Sequence, residues 1–133
     1  MDRPTVRVGD SDDFLDVMRI LDAGLLEAEA AEVRAKLDAG DCLVGDDSGR
    51  VVGALVLDGD EIDAVAVSPS RRGRGVGSVL VEAAAERRDR LVAEFDAGVR
   101  PFYEALGFTV ERAGESEDES GFERFRGVRD ESR

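Results

Sequence analysis

RRGRGVGS (residues 71–78) places three arginines and three glycines in eight positions of a chain whose formal net charge is −13. It follows the apolar run EIDAVAV (61–67) and precedes a segment, 76–84, whose apolar residues recur at helical spacing. A further strand pattern, RLVAEF (90–95), comes next. A strand, a helix of about a dozen residues and a second strand predict a βαβ unit with parallel strands. RRGRGVGS therefore lies at the carboxyl end of a parallel strand, where α/β folds bind small ligands.

Glycines at the start of a helix let the backbone approach a ligand closely and point successive N–H groups at one place. This arrangement favours a pyrophosphate group, and the arginines add positive charge. The stretch is neither of two common phosphate motifs, because the Walker A pattern requires a lysine and the dinucleotide pattern requires glycine where Ser78 stands. A solvated turn is the alternative.

The composition limits the function classes. A chain of 133 residues forms one domain, and with no histidine it has no histidine base and no histidine-ligated metal. Cys42 is its single cysteine and lies in an apolar run, which indicates a buried thiol rather than a nucleophile. We expect no metal site, no membrane span and, since no secretory signal begins the chain, a cytoplasmic location.

The acidic balance disfavours nucleic acid as a partner, because a strongly negative surface repels a polyanion. An RNA-binding Arg-Gly patch would also need interleaved aromatic residues, and residues 70–80 have none. Lys36 is the only lysine among the 18 basic residues. An acidic, lysine-poor surface is typical of proteins from salt-loving cells, so we hypothesise a halophilic protein whose self-repulsion is screened by molar salt.

The remaining patterns predict a mixed α/β domain over residues 1–127, followed by a polar tail, 128–133. TVRV (5–8) predicts a strand, a helix follows with an apolar face ending at Leu25, and 27–38 predicts a second helix. Short turn sequences join three strand patterns into an antiparallel meander: DCLVGD (41–46), VVGALVL (51–57) and EIDAVAV (61–67). After the βαβ unit, VRPFYEAL (99–106) predicts a short helix. FTVERA (108–113) and FERFRG (122–127) predict a hairpin around the acidic loop GESEDES.

Two motifs resemble those of the GNAT-superfamily N-acetyltransferases. Residues Arg72 to Gly77 match the acyl-CoA-binding signature [QR]-x-x-G-x-[GA], and AVAVSPSR (64–71) resembles the strand and proline turn that lead into it. PFYEALGF (101–108) is similar to the later F-Y-x-x-x-G-F helix. The resemblance covers nearly the whole chain and implies a mainly antiparallel sheet with helices on both faces. Its one parallel crossover would be splayed to hold CoA.

The resemblance also implies where acetyl-CoA, the co-substrate, would bind. Pantetheine would pair with the backbone of the strand at Val65, Ala66 and Val67, as an added strand does. The pyrophosphate would lie on the N–H groups from Arg72 through Gly73, Arg74, Gly75 and Val76 to Gly77, with Ser78 at the edge. Phe102 and Asp96 complete the expected cofactor contacts. Asp96 stands where many members have asparagine, and an ionised aspartate accepts but does not donate.

The implied reaction is transfer of an acetyl group from the thioester to a primary amine by direct attack. By resemblance, Tyr103 is the candidate acid for the departing thiolate, with a half-buried core tyrosine as the alternative. Without histidine, a carboxylate is the natural base, and Asp63 and Glu61 lie on the strand that borders the acceptor site. The sequence does not identify the acceptor, which is the amine of a small molecule or of a protein. It is compatible with both a monomer and a homodimer. A non-catalytic acyl-CoA-binding or regulatory module is the second hypothesis, and the change at Asp96 favours it.

Overall fold

The computed structural model describes residues 4–24, 28–113 and 124–130. Seven strands and four α-helices lie within these ranges. The strands are β1 (Thr5–Val8), β2 (Cys42–Asp47), β3 (Arg50–Asp58), β4 (Glu61–Val67), β5 (Arg90–Asp96), β6 (Thr109–Arg112) and β7 (Arg124–Asp130). The helices are α1 (Phe14–Ala23), α2 (Ala30–Ala39), α3 (Val76–Glu86) and α4 (Arg100–Ala105).

The strands form one sheet in the order β1-β2-β3-β4-β5-β7-β6. β4 and β5 pair in parallel, and the other neighbouring pairs of the described strands are antiparallel. The sheet confirms the predicted fold: an antiparallel meander, then a βαβ crossover through α3, then a final hairpin. A mainly antiparallel sheet with one parallel crossover is what the resemblance implies.

Helices cover both faces of the sheet. On one face, the apolar side of α3, with Leu80 and Val81 fully buried, packs together with α4 residues over β3, β5 and β7. On the other face, Val17 and Ile20 of α1 and Leu37 of α2 pack over β2 and β3. Each described helix buries one face only, and none is long and apolar enough to cross a membrane.

Two glycines let the first turn of α3 lie close to the sheet. The Val76 side chain is buried over Gly45 and Gly53. A Cβ atom on Gly53 would lie 2.8 Å from Val76 Cγ1 and 3.0 Å from Leu80 Cδ1. Because side chains there would displace the helix, these glycines fix the position of the RRGRGVGS loop relative to β3 and β4.

The end of the chain differs from the expectation. β7 lies between β5 and β6, and it continues to Asp130, with Arg129 paired to Leu91. The prediction of a polar tail from residue 128 is thus wrong for 128–130. Backbone hydrogen bonds to the edge of β5 hold these residues in a strand despite their polar side chains. Leu25, residue 27, the loop GESEDES and the first residues of FERFRG lie outside the described residues. The helix predicted over 27–38 begins only at Ala30 and ends at Ala39.

Candidate active site

The strands β4 and β5 separate toward their carboxyl ends. Their pairing is confined to Glu61 and Val92, next to a hydrogen bond in which Val92 N–H donates to the Asp60 carbonyl at 2.9 Å. From there β4 pairs with β3 as far as Val67, and β5 pairs with β7 as far as Asp96. The two strands thus form the sides of a V-shaped gap that opens beside the start of α3.

The edge of β4 that faces the gap offers backbone groups to a ligand. Ser68 N–H donates to the Val52 carbonyl at 2.8 Å. Because hydrogen-bonded pairs alternate along antiparallel strands, Ala66 bonds Ala54 of β3, whereas the N–H and C=O of Val65 and Val67 point away from β3. The structure therefore does not support the expected backbone contact at Ala66, since β3 uses its polar groups.

The RRGRGVGS loop presents a row of free amides from Gly73 to Ser78. The Arg72 N–H, which was expected to begin this row, donates instead to the Pro69 carbonyl at 3.5 Å. Gly73 and Gly75 have φ angles of 78° and 86°, a region that glycine adopts without strain. None of the amides from Gly73 to Ser78 donates to an acceptor within the described part of the chain, and the first helical bond runs from Val79 N–H to the Gly75 carbonyl at 3.1 Å. Consecutive free N–H groups at the positive end of a helix fit a diphosphate.

The three arginines of the loop have different surroundings. Arg71 forms an ion pair with Asp47. The Arg72 guanidinium donates to the carbonyls of Val67, at 3.3 Å, and Ala23, at 3.5 Å, so it occupies one acceptor on the free edge of β4. Arg74 is exposed and has no ionic partner among the described residues. Arg74 is therefore the loop cation most available to an anionic ligand.

Tyr103 is buried in an aromatic cluster at the wide end of the gap. Its ring stacks on Phe95 and meets Phe102 and Phe108 edge-on, at centroid distances of 4.9 and 5.1 Å. Its hydroxyl bonds no described residue. Since no buried side-chain polar atom of the described residues lacks a partner, this oxygen touches solvent. Burial raises the pKa of Tyr103, so the hydroxyl stays protonated at neutral pH and can act as an acid.

Phe102 and Asp96 flank the same region. A Cβ atom on Gly77 would lie 3.6 Å from the Phe102 ring, so this half-buried ring contacts the first turn of α3. The Asp96 carboxylate accepts the Gly98 N–H at 2.9 Å and caps a 3₁₀ turn, Ala97–Val99. A cofactor contact through Asp96 would have to use its remaining acceptor capacity.

A β-bulge lies at Asp63, one of the two candidate bases. Val56 pairs with Ala64 and Leu57 with Ile62, which leaves Asp63 as the extra residue of β4. Asp63 and Ala64 consequently line the same cavity on the α1–α2 face. Glu61 does not line this cavity and lies at the closed end of the gap, so the geometry favours Asp63 and does not support Glu61 as a base.

The cavity beside Asp63, here called the acceptor cavity, has a volume of about 350 Å³. Its apolar lining residues are Leu21, Ala28, Val33, Val56 and Ala64. Its charged lining residues are Glu29, Glu32, Lys36, Asp58 and Asp63. Glu29, Glu32 and Lys36, at the start of α2 or within it, were not among the site residues predicted from the sequence. Their spacing of three and four residues was a visible signal, but an ordinary solvated helix face has the same spacing.

Comparisons with known proteins agree with this geometry. The family model described as acetyltransferase (GNAT) domain matches residues 38–110. Over 75 residues, 54% of this chain, the sequence is 35% identical to peptidyl-lysine N-acetyltransferase YjaB of Salmonella typhimurium. The match spans about half the length of that relative, 52%.

Solved structures share the fold along nearly the whole chain. A GNAT-family acetyltransferase from Bacillus cereus superposes with a TM-score of 0.82 at 19% identity, covering 97% of this chain and 98% of that one. Diaminobutyrate acetyltransferase EctA from Paenibacillus lautus, solved with L-2,4-diaminobutyric acid and coenzyme A, gives a TM-score of 0.76 at 14% identity and covers 93% of both chains. At these identities the likeness establishes the fold.

Proposed function

This chain belongs to the GNAT acetyltransferase family, and from that membership and the geometry of the gap we propose that it transfers an acetyl group from acetyl-CoA to a primary amine. The observation that carries the proposal is the row of free amides from Gly73 to Ser78 at the mouth of the gap between β4 and β5. A row of donors at this place supports binding of a diphosphate whose attached chain enters the gap.

The residues around the gap fit the diphosphate and the pantetheine of acetyl-CoA. The amides from Gly73 to Ser78 and the exposed Arg74 would hold the diphosphate. The outward-facing N–H and C=O of Val65 would pair with the pantetheine amides, as an added strand does. The bound thioester supplies the activated acetyl group, and the Phe102 ring against Gly77 would cover the entrance to the gap.

Two side chains can move the protons. Asp63 lies on β4 in the wall of the acceptor cavity, where its carboxylate can take a proton from the incoming ammonium directly or through water. The free amine attacks the carbonyl carbon, a C–N bond forms and the C–S bond breaks. The nitrogen releases its second proton to water, from which Tyr103 regains the proton that it donates. The Tyr103 hydroxyl, protonated and without a described partner, can give its proton to the departing thiolate.

The acceptor is proposed only as a primary amine. YjaB of Salmonella typhimurium is named for peptidyl-lysine, and EctA was solved with a diamino acid; both acceptors carry such an amine. A non-catalytic acyl-CoA-binding module is the second candidate, favoured by the use of the Asp96 carboxylate as a turn cap. The two candidates share the proposed diphosphate site at the amides from Gly73 to Ser78 and differ in turnover.

Calorimetry with acetyl-CoA and CoA, followed by a thiol-release assay, tests the proposal. The acceptor panel should include polyamines, amino acids, aminoglycosides, peptide N-termini and lysine peptides. Burial raises the pKa of the Cys42 thiol to about 12, so this cysteine stays an unreactive thiol and the signal reports CoA. We expect binding and release. Binding without release would select the non-catalytic module, and absence of binding would overturn the proposal.

A further inference from the structure

The size of the acceptor cavity limits what can enter it. Its volume of about 350 Å³ lies at the small end of the range for small-molecule sites. Leu21 of α1, Val33 of α2 and Val56 of β3 give it apolar walls that suit methylene groups. The cavity therefore accommodates a short aliphatic chain with polar ends.

The charge of the lining is strongly asymmetric. Asp58 is paired with Lys36, whose Nζ lies 3.5 Å from Asp58 Oδ1. Glu29, Glu32 and Asp63 have no cationic partner within the described part of the chain. Four carboxylates and one ammonium give the lining a formal charge of −3.

Several carboxylates outside the cavity are paired with arginines of the same chain. Asp13 and Asp46 both pair with Arg7, and Asp47 pairs with Arg71. In the acceptor cavity, three carboxylates without a described cationic partner converge on one concave site, and its partly apolar walls strengthen their field. An amine that carries a carboxylate would meet the same field as repulsion.

We propose that the acceptor is a short aliphatic amine with a second positive charge, a diamine or small polyamine. This inference rests on the proposed function for the amine that reacts. The reacting amine would lie at Asp63, on the β4 side of the cavity, and the second ammonium at Glu29 and Glu32 on the α2 side. The methylene chain between them would contact Val33 and Val56.

Three amines with the same four-carbon chain and different far ends test the proposal at saturating acetyl-CoA: 1,4-diaminobutane, 1-aminobutane and 4-aminobutanoate. The assay is thiol release, at the lowest KCl concentration that keeps the protein folded. We expect kcat/KM for the diamine to exceed that for 1-aminobutane by about tenfold or more, with 4-aminobutanoate lowest. Raising KCl should reduce the diamine advantage, because salt screens the carboxylates.

Two substitutions locate the effect. Glu32→Gln should lower the ratio of diamine to 1-aminobutane by up to about fivefold, the contribution of one exposed carboxylate. Glu86→Gln removes the same charge from an exposed position on α3 outside the cavity and should leave the ratio unchanged. Equal effects of the two substitutions would assign the preference to the overall charge and overturn the proposal.

The outcomes separate this inference from the proposed function. Equal use of the three amines, or acetylation of lysine peptides alone, would overturn the diamine assignment and leave the acetyltransferase intact. If no amine releases CoA, the proposed function fails. Calorimetry of the CoA-loaded protein with the diamine and with 4-aminobutanoate then decides whether the cavity binds a diamine. Diamine binding that weakens in Glu32→Gln would support the cavity's assignment, and equal or absent binding would refute it.

Discussion

The Tyr103 ring stacks on the Phe95 ring with centroids 4.5 Å apart and an angle of 14° between their planes. Phe95 is near the end of β5 and Tyr103 is in α4, so this contact fixes α4 against the strand that forms one side of the gap. The stack depends on the ring and leaves the hydroxyl without a described partner. Chemistry and packing at Tyr103 can therefore be separated by substitution.

Tyr103→Phe should keep the fold and lose turnover. The stacked ring remains, and a hydroxyl that bonds no described residue is removed, so the unfolding midpoint should change little. Loss of a general acid should lower kcat by about 100-fold. Because burial raises the pKa of Tyr103, the wild-type rate should fall only in strongly alkaline solution, and the variant should lack that fall. Thiol release across the pH range measures both.

The matched control is Tyr103→Leu. It removes the stack as well as the hydroxyl, and we expect a loss of about 2–4 kcal/mol in the free energy of unfolding. Full turnover by Tyr103→Phe at every pH would remove the acid role.

Arg74→Glu should weaken CoA binding by about tenfold without changing stability. Arg74 is exposed and has no described ionic partner, so the fold does not depend on it, while its charge lies at the row of free amides. Arg87→Glu, an equal charge change just beyond the other end of α3, should leave the Kd near the wild-type value. Calorimetry of both variants is the measurement. Equal weakening would attribute the effect to net charge.

Gly53→Ala should move the start of α3 away from the sheet. The added Cβ would lie 2.8 Å from Val76 Cγ1 and 3.3 Å from the Ala66 carbonyl oxygen. Overpacking of this kind costs about 1–3 kcal/mol. Urea unfolding should show that loss, and CoA binding should weaken because the amides follow Val76. Gly24→Ala, whose nearest contact would be an ordinary 3.4 Å, is the control and should change neither quantity.

The halophilic hypothesis predicts that the unfolding midpoint rises between dilute buffer and about 1 M KCl. With a formal charge of −13, the folded chain repels itself, and at that salt concentration the screening length falls to about 3 Å. Thermal or urea unfolding at several KCl concentrations measures the effect. A flat response would contradict the hypothesis, and an equal rise in sucrose would assign the change to exclusion of solute instead of screening.

Local patterns predicted the site's backbone well. β4 was predicted from Glu61 to Val67, as observed, because its apolar alternation is strong and a turn bounds it on each side. The glycines of RRGRGVGS predicted the free amides, since Gly73 and Gly75 adopt the left-handed conformation that only a few residue types tolerate.

Features that depend on tertiary contacts could not be predicted from the sequence. The bulge at Asp63 arises from the register between β3 and β4, and it places Asp63 beside Ala64 in the lining of one cavity. β7 pairs with β5 and therefore lies between β5 and β6. No local sequence pattern indicates which strand edge β7 pairs with. The sequence predicted that the arginines of the loop add positive charge for a phosphate. In the structure, Arg71 pairs with Asp47, and the Arg72 guanidinium donates to two backbone carbonyls. Partners that are distant in sequence decided each of these points.

A crystal structure of the protein with coenzyme A tests the central claim most directly. We predict the diphosphate within hydrogen-bonding distance of the amides from Gly73 to Ser78 and the pantetheine bonded to the Val65 backbone between β4 and β5. A structure in which coenzyme A binds elsewhere, or in which those amides donate to protein carbonyls while the gap stays empty, would contradict it.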